Sequence, residues 1–498
     1  MQPVSNTYNP YTDERFVDIH ITFRLEDVDA KDEATPSSNG AESISRLMDL
    51  LPGDAVAPGK IMTMEDNLMQ TDGTWDILPD GATVPYWSTA LSGADGIFTV
   101  PPTLTFDLSG PASSIGFMMY FDEPAGCWPS MVRITVSRDG TQLARKEFSN
   151  VGPVLAAELK VQEYNKVVVE FLRTPQPYRR IKLYRFIFGI IQDFDANTIA
   201  TATFQFGASV DCSSIPSRQL VFTFDNQDRK YNFLNPSGLY AYLQDGQAID
   251  SSLIINGERV SMGRHYYTVA EAADEALTAQ ITANDRIIGL DDELYEKGQS
   301  GTWTLREAVV DILGGESVLD MSDEVAARTV GRCIPLETKK REALRLVAQA
   351  ARCACWVDRT GAYVFRDLVA GEPVDTLDGN NCTSLASIGV TQYYSAVKVT
   401  VRDSFAGGKA VEYTAGTGAN IRTYTNPCVV DGQAVADWLL AANRRRLQYT
   451  PPSRGNPALE VSDTLTIYNA FDEARSAVLV NQTLVFDGGL SADTEAVT

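Results

Sequence analysis

Four aromatic side chains and one carboxylate in the first third of the chain are the residues best suited to bind a sugar. They are Trp75, Tyr86, Trp87, Trp128 and Asp122. A sugar ring stacks on an exposed aromatic face while polar neighbours hydrogen-bond to its hydroxyls. The pattern predicts a carbohydrate contact made by Trp128, which lies in a predicted loop, with Tyr86, Trp87 and Asp122 as further candidates.

The same residues also have a structural interpretation. Large aromatic residues are common in protein cores, so Trp75 and Trp87 are expected inside a β-sandwich if this region binds nothing. Asp122 follows a predicted strand and, with Glu123, either binds calcium or a sugar hydroxyl or belongs to a solvated loop. The sequence alone leaves both interpretations open.

Residues for catalysis or metal binding are sparse and scattered. The two histidines, His20 and His265, lack the neighbouring ligands of a metal motif, and no phosphate loop, dinucleotide glycine pattern or nucleophile elbow occurs. A glycosidase needs two carboxylates across a cleft, but 65 acidic residues always offer some pair. Asp225 and Asp228 are typical of a turn. We therefore predict no enzymatic activity, no cofactor and no metal.

Composition narrows the possible partners. The 498 residues carry a net charge of −23, which argues against a nucleic-acid-binding surface and against an anionic membrane surface. No apolar run is long enough for a membrane helix, and the N-terminal residues lack the apolar core of a signal peptide. The seven scattered cysteines do not form a disulfide framework, so we expect synthesis in the reducing cytoplasm of a bacterial host.

The hydrophobic pattern is mainly that of short strands. Alternation predicts strands at 16–23, 104–108, 114–121, 131–137, 166–171, 219–224 and 252–255. A capping box of Thr304 and Glu307 begins a helix that Gly314 ends, and a second helix starts near Thr338. Residues 355–365 are typical of a hairpin, and a further helix is predicted at 434–447.

Three blocks in the last 300 residues resemble the hub-type tail proteins of phages that infect Gram-positive bacteria. The first block is Leu220-Val-Phe-Thr-Phe-Asp-Asn-Gln-Asp228 with Phe233-Leu-Asn-Pro236 and Ile255-Asn-Gly-Glu258; the second is Lys340-Arg-Glu-Ala-Leu-Arg-Leu-Val-Ala-Gln-Ala-Ala351 with Trp356-Val-Asp-Arg-Thr-Gly361; the third is Arg454-Gly-Asn-Pro-Ala-Leu-Glu-Val-Ser-Asp463 with Phe486-Asp-Gly-Gly-Leu490.

The first 190 residues resemble a galactose-binding-like sandwich. The resemblance rests on Asp72-Gly-Thr-Trp-Asp-Ile-Leu-Pro79, Tyr86-Trp-Ser-Thr-Ala-Leu-Ser92, Gly96-Ile-Phe-Thr-Val-Pro101 and a closing strand in 177–189. Together the resemblances imply a mainly β chain with four parts. These are a galactose-binding-like β-sandwich (1–192), a first hub β-barrel (193–300), a helical segment with a hairpin (301–370) and a second hub β-barrel (371–498).

The hub resemblance also implies a function and partners. Such a protein is a structural part of the virion tail tip or baseplate hub. As a homotrimer, built through residues 201–489, it adapts the six-fold tail tube to a trimeric tip. Its implied partners are a tail tube or distal tail protein, a spike or lysin, the tape-measure protein and host cell-wall glycan. The alternative is a carbohydrate-binding adhesin or a polysaccharide hydrolase acting on the cell surface.

Overall fold

A computed structural model describes residues 1–51, 60–63, 65, 68–77, 81–122, 126–272, 277–297, 300–315, 318–401, 410–471 and 473–498. These residues divide into two units. The sandwich unit comprises Phe23–Gln192 and Lys230–Gln247, and the scaffold unit comprises Met1–Thr22, Asp193–Arg229 and Ala248–Thr498. The predicted mainly β class is confirmed. Leu78, Pro79 and Glu123, which the sequence motifs included, lie outside the described residues.

Strands far outnumber helices in both units. The strands are β1 (Val17–Glu26), β2 (Ala34–Ser38), β3 (Tyr86–Trp87), β4 (Thr103–Phe121), β5 (Met131–Arg138), β6 (Thr141–Ser149), β7 (Val154–Arg173), β8 (Lys182–Ile187), β9 (Gly189–Asp195), β10 (Ile199–Gly207), β11 (Gln219–Asp225), β12 (Ala248–Ile255), β13 (Glu258–Glu271), β14 (Thr278–Asn284), β15 (Leu294–Tyr295), β16 (Thr302–Thr304), β17 (Leu319–Asp320), β18 (Thr329–Gly331), β19 (Thr338–Lys339), β20 (Ala354–Val357), β21 (Tyr363–Arg366), β22 (Pro373–Leu377), β23 (Ser387–Val390), β24 (Ala396–Val401), β25 (Val411–Gly416), β26 (Ile421–Thr425), β27 (Leu447–Thr450), β28 (Pro452–Ser453), β29 (Thr464–Tyr468), β30 (Ala474–Phe486) and β31 (Leu490–Val497). The α-helices are α1 (Ala30–Glu33), α2 (Leu305–Leu313), α3 (Asp323–Ala326), α4 (Lys340–Ala350) and α5 (Gly432–Arg444).

Two long strands, β4 and β7, organise the sandwich unit. The first end of β4 pairs with β2 and with the last part of β7, whereas its second end pairs with β8 and with the first part of β7. Register shifts between Asp107 and Gly116 interrupt the pairing of β4 with β7. Because a bulge bends a strand, each long strand contributes to two layers. Phe106 of the first end stacks on Phe186 of β8 at 4.2 Å, so the two layers meet in an aromatic core.

In the scaffold unit, strands from both predicted barrels belong to one sheet. Nine of its strands follow the order β23-β27-β31-β30-β10-β11-β14-β13-β12. The strand β10 joins the two regions, because Phe204 lies opposite Leu220 of β11 on one side and Leu484 of β30 on the other. The described strands do not close into a barrel. This corrects the expectation of two separate barrels: the pairing of β10 with β30 joins Phe204 to Leu484, which are far apart in the sequence.

The helical segment forms as predicted. The hydroxyl of Thr304 accepts a hydrogen bond from the Glu307 backbone N–H, and the Glu307 carboxylate accepts one from the Thr304 N–H at 2.8 Å. Gly314 ends α2 with a φ of 80°, a left-handed conformation that favours glycine. Helix α4 buries Leu344 and Val347 in a core that it shares with α2 and α5. The predicted hairpin is formed by β20 and β21.

The N-terminal residues belong to the scaffold unit and not to the predicted 1–192 module. The Arg15 guanidinium donates to the carbonyls of Arg454 and Gly455, while Arg454 donates to the carbonyls of Tyr11 and Thr12. The Ser5 hydroxyl and N–H both donate to Glu258. Residues 230–247 join the sandwich unit instead. The predicted divisions at 300 and 370 stay predictions.

Arg359 connects the second and third hub-like blocks with strand β13 inside the scaffold unit. It lies in the turn between β20 and β21, and it is 5% exposed. Its guanidinium donates to the carbonyls of Ser261, Pro457 and Leu459, and it forms an ion pair with Glu460 at 2.8 Å. Five donors on a rigid planar group allow one side chain to bind several acceptors at once.

We expect Arg359→Lys to destabilise the chain by at least about 2 kcal/mol, because an ammonium cannot reach this set of acceptors and leaves buried carbonyls without donors. Thermal and urea unfolding followed by circular dichroism measure the change. Arg366→Lys is the control, since Arg366 is exposed and pairs with exposed Asp320. Equal stability of the two variants would contradict the role given to Arg359.

Candidate functional site

The two aromatic residues of β3 lie inside the sandwich unit. Tyr86 is fully buried and Trp87 is 8% exposed. They pair with Leu183 and Lys182 of β8, and Tyr86 packs against the ring of Phe171. Burial raises the pKa of Tyr86 to about 12. Neither ring has a free face for a sugar, which corrects their assignment as carbohydrate contacts in favour of the core interpretation.

Lys182 fills the space beside Trp87. Its ammonium lies 4.4 Å from the centroid of the Trp87 ring and 2.7 Å from a carboxylate oxygen of Glu65. Both charged side chains are 1% exposed. The Glu65 carboxylate also accepts hydrogen bonds from the Thr63 hydroxyl and the Arg180 backbone N–H. Although burial alone would raise it, the pKa of Glu65 is lowered by Lys182 and by these hydrogen bonds.

Asp122 and Cys127 complete this group, which we call the Lys182 cluster (Glu65, Asp122, Cys127 and Lys182). The Asp122 side chain is buried, and its Oδ1 has no hydrogen-bond partner among the described residues. Burial raises the pKa of Asp122 to about 6, against the lowering effect of Lys182. The Cys127 thiol donates to Glu65 at 3.6 Å, and burial raises its pKa. A buried carboxylate cannot bind a solvent-borne sugar, so the assignment of Asp122 is corrected too.

Trp128 is the remaining candidate for a surface contact. Its side chain is half-buried and packs against the core of the sandwich unit. Trp75, in contrast, is buried with Leu68 and Cys127. Of the four residues predicted to bind carbohydrate, Trp128 alone keeps an accessible part.

The histidines are in separate places within the scaffold unit. The imidazole of His20 lies 3.4 Å from Asp193. His265 is buried, and burial together with Arg218 and Arg359 holds its pKa well below the usual range. In the part of the chain that the structure describes, no three side chains among His, Cys, Asp and Glu are grouped to hold a metal ion. Within the same part, no helix has the length and apolar character of a membrane-spanning segment.

Two surface cavities of the scaffold unit were not predicted. One, of about 410 Å³, is lined by residues that include Asp211, Tyr394, Arg422 and Asn443. Arg422 pairs with Asp211 at 3.0 Å and donates to Asn443 at 2.7 Å. The other, of about 670 Å³, lies between residues 376–386 and Tyr468. These residues come from distant segments and match no local motif, so no sequence signal marked them.

Comparison with known proteins gives structural similarities only. No family model matches the chain, and no curated protein matches it. A tail protein from Neisseria meningitidis has a TM-score of 0.45 and 13% identity, covering 62% of this chain and 94% of its own. A 43 kDa prophage tail protein from Shewanella oneidensis has a TM-score of 0.44 and 14% identity, covering 61% and 95%. A family 32 carbohydrate-binding module from C. perfringens, solved with galactose, has a TM-score of 0.21 and 10% identity, covering 34% and 99%. Similarities at this level assign no role to any residue of this chain.

The raised pKa of Asp122 predicts a pH-dependent effect of Asp122→Asn. The pKa of the Asp122 carboxyl is about 6 in the folded protein and about 4 in the unfolded chain. Its contribution to stability is therefore fully present below pH 4 and is lost as the pH rises through about 6, where the buried carboxyl ionises. Asparagine should therefore raise stability at pH 8 by about 1–2 kcal/mol and change little at pH 4.

Chemical denaturation of both proteins at pH 4, 6 and 8 measures this difference. Asp32→Asn is the control, because the Asp32 side chain is 76% exposed. A stability difference that is the same at all three values, or that is largest at pH 4, would contradict the buried, poorly solvated state of Asp122.

Proposed function

We propose that this chain is a structural component of a phage tail or phage-like injection machine, placed at the tail tip or baseplate hub. The tail role coincides with that named for two of the solved proteins. It is supported, however, by this chain's own residues: the second and third of the blocks that resemble hub proteins are in direct contact through Arg359.

The contacts made by Arg359 are the observation that carries this proposal. Arg359 belongs to the second block and donates to Ser261, in the strand that begins at the end of the first block, and to Pro457 and Leu459 of the third. The turn at Ile255–Glu258 and the loop after Arg454 are further tied to the N-terminal segment. These contacts hold the second block, the third block and strand β13 together in one scaffold.

A hub of this kind would be a homotrimer that adapts a six-fold tube to a trimeric tip. Its neighbours would be the tail tube or distal tail protein, a spike or lysin and the tape-measure protein. Three copies would carry three times the net charge of −23. An acidic inner surface would repel DNA during its passage, because like charges disfavour phosphate contacts.

We further propose that the chain acts without catalysis and that its sandwich unit contacts host cell-wall glycan through Trp128. The adhesin and hydrolase alternatives predict different behaviour. A hydrolase would release wall fragments by itself, whereas a scaffold would not. Trp128 favours a contact role because its side chain is only partly buried and is supported by the core.

The tail role predicts that the protein is found in assembled particles. Tails purified from the bacterium that encodes the gene should contain it at three copies for each six-fold ring of tube protein, as quantified by mass spectrometry with labelled standards. Six copies per ring, a position away from the tube axis in electron micrographs, or absence from the particle would refute the hub assignment.

The glycan contact predicts that Trp128→Ala weakens binding of the full chain to isolated host walls about five- to tenfold, since a stacking ring contributes on the order of 1 kcal/mol. Trp128→Phe keeps an aromatic face and should retain most of the affinity. Pelleting with walls measures both. If neither variant changes binding, or if the chain does not bind walls, the sandwich unit is a spacer.

A further inference from the structure

The Lys182 cluster holds an amine and a carboxyl in direct contact and away from solvent. The Nζ atom of Lys182 lies 2.7 Å from Oε2 of Glu65, and both side chains are 1% exposed. Lys182 begins β8, whereas Glu65 belongs to a segment far away in the sequence. Removing two charges from water costs free energy that their mutual attraction only partly offsets. A buried pair of this kind becomes neutral when one proton moves from the nitrogen to the oxygen.

The indole of Trp87 shields this contact. Its ring centroid lies 4.4 Å from the Lys182 ammonium, and Trp87 itself is buried. Two groups that are held in contact and protected from water meet the conditions for a fast intramolecular reaction. The pair formed by Lys398 and Glu412 has the same chemistry at 3.0 Å, but its side chains are 32% and 55% exposed. Burial therefore distinguishes the Lys182 pair from an ordinary surface ion pair.

The two carboxylate oxygens of Glu65 have different neighbours. Oε1 accepts hydrogen bonds from the backbone N–H of Arg180 at 2.8 Å and from the thiol of Cys127 at 3.6 Å. Oε2 faces Lys182 instead. Donors directed at one oxygen stabilise the negative charge that develops there when the carbon is attacked. Oε1 is therefore placed to remain as a carbonyl oxygen, and Oε2 is placed to leave.

The hydroxyl of Thr63 bridges the amine and the oxygen that would leave. It accepts a hydrogen bond from Lys182 Nζ at 3.5 Å and donates one to Glu65 Oε2 at 2.7 Å. Because a hydroxyl is both a donor and an acceptor, it can take a proton from the nitrogen while it passes its own to the oxygen. The geometry thus combines a nucleophile, a carboxyl carbon, donors for the developing charge and a path for protons.

We propose that Lys182 and Glu65 join spontaneously in the folded chain, forming an isopeptide bond between Nζ and Cδ and releasing one molecule of water. One proton first passes from the ammonium to Oε2. The lone pair of the neutral amine then forms the Nζ–Cδ bond, and the C=O electrons move to Oε1 beside the Arg180 N–H. A second proton passes through Thr63 to Oε2, the C=O bond to Oε1 forms again, and the Cδ–Oε2 bond breaks as water leaves. The third proton stays on the amide nitrogen, so the reaction needs no co-reactant.

The bond would attach a segment with little regular structure to β8. Among the described residues of 60–76, Ile61 and Asp76 form an isolated bridge, and Leu68 and Trp75 pack with Cys127 in a small core. A covalent link that closes a long loop restricts the unfolded chain and so opposes unfolding. This inference concerns the sandwich unit alone and does not depend on the proposed tail role.

Intact-mass spectrometry of the denatured full chain tests the bond. The wild-type protein should be lighter than its sequence by the mass of one water molecule, and proteolysis should release a pair of peptides joined through Glu65 and Lys182. Lys398 and Glu412 are the internal control, since this exposed pair should give no joined peptides. A sample kept unfolded in urea should retain the full mass, because only the fold brings the two groups together.

Two variants examine the chemistry. Thr63→Val keeps the shape of the side chain without its hydroxyl, and it should form the bond at least about tenfold more slowly. The double variant Lys182→Met and Glu65→Gln removes both reacting groups without leaving one buried charge unpaired, and it should keep its full mass and melt at a lower temperature. A folded wild-type protein that keeps its full mass after prolonged incubation overturns the proposal. Loss of water that maps to any other position also overturns it, and an unchanged rate in Thr63→Val contradicts the proton path.

Discussion

The scaffold unit depends on bringing two arginine side chains into its interior and giving each of them backbone carbonyl acceptors. Arg218 and Arg359 are 6% and 5% exposed. Arg218 donates to the carbonyls of Met262 and Asp358, and its backbone N–H donates to Asp285. A buried guanidinium is tolerated only where its hydrogen bonds are made, so these carbonyls must be in place for the unit to fold.

The two arginines also fix the properties of their neighbours. Burial, together with their positive charges, keeps the pKa of His265 well below its usual range, so the imidazole stays neutral and adds no third positive charge. The close approach of β13 to the turn at Arg359 further requires glycine. Gly263 has a φ of +84°, and a Cβ there would lie 2.6 Å from the Arg359 carbonyl oxygen. These contacts thus fix the spacing between strand β13, the turn at Arg359 and the third block.

Local features of this fold were predictable and long-range ones were not. The capping box at Thr304, the stop at Gly314 and the hairpin at 355–365 depend on neighbouring residues, and each was predicted correctly. The single sheet was missed because the partners of β10 are set by packing between distant segments. The site shows the same limit: the sequence does not reveal that the sandwich unit encloses Tyr86 and Trp87, with Lys182 against the indole of Trp87.

The residues that sequence motifs pointed to are therefore mostly buried, whereas a partner can be contacted only by residues that are exposed. Arg359 in the scaffold unit and Lys182 in the sandwich unit use their charges inside the protein, where each is matched by acceptors of its own unit. A substitution at either position changes stability before it changes any binding surface. Contact with other molecules is left to residues that the fold keeps accessible, and Trp128 is one of these. Exposed contact residues form no recognisable sequence motif, because an exposed side chain needs few particular neighbours. A buried charge, in contrast, requires hydrogen-bond acceptors from every segment that surrounds it.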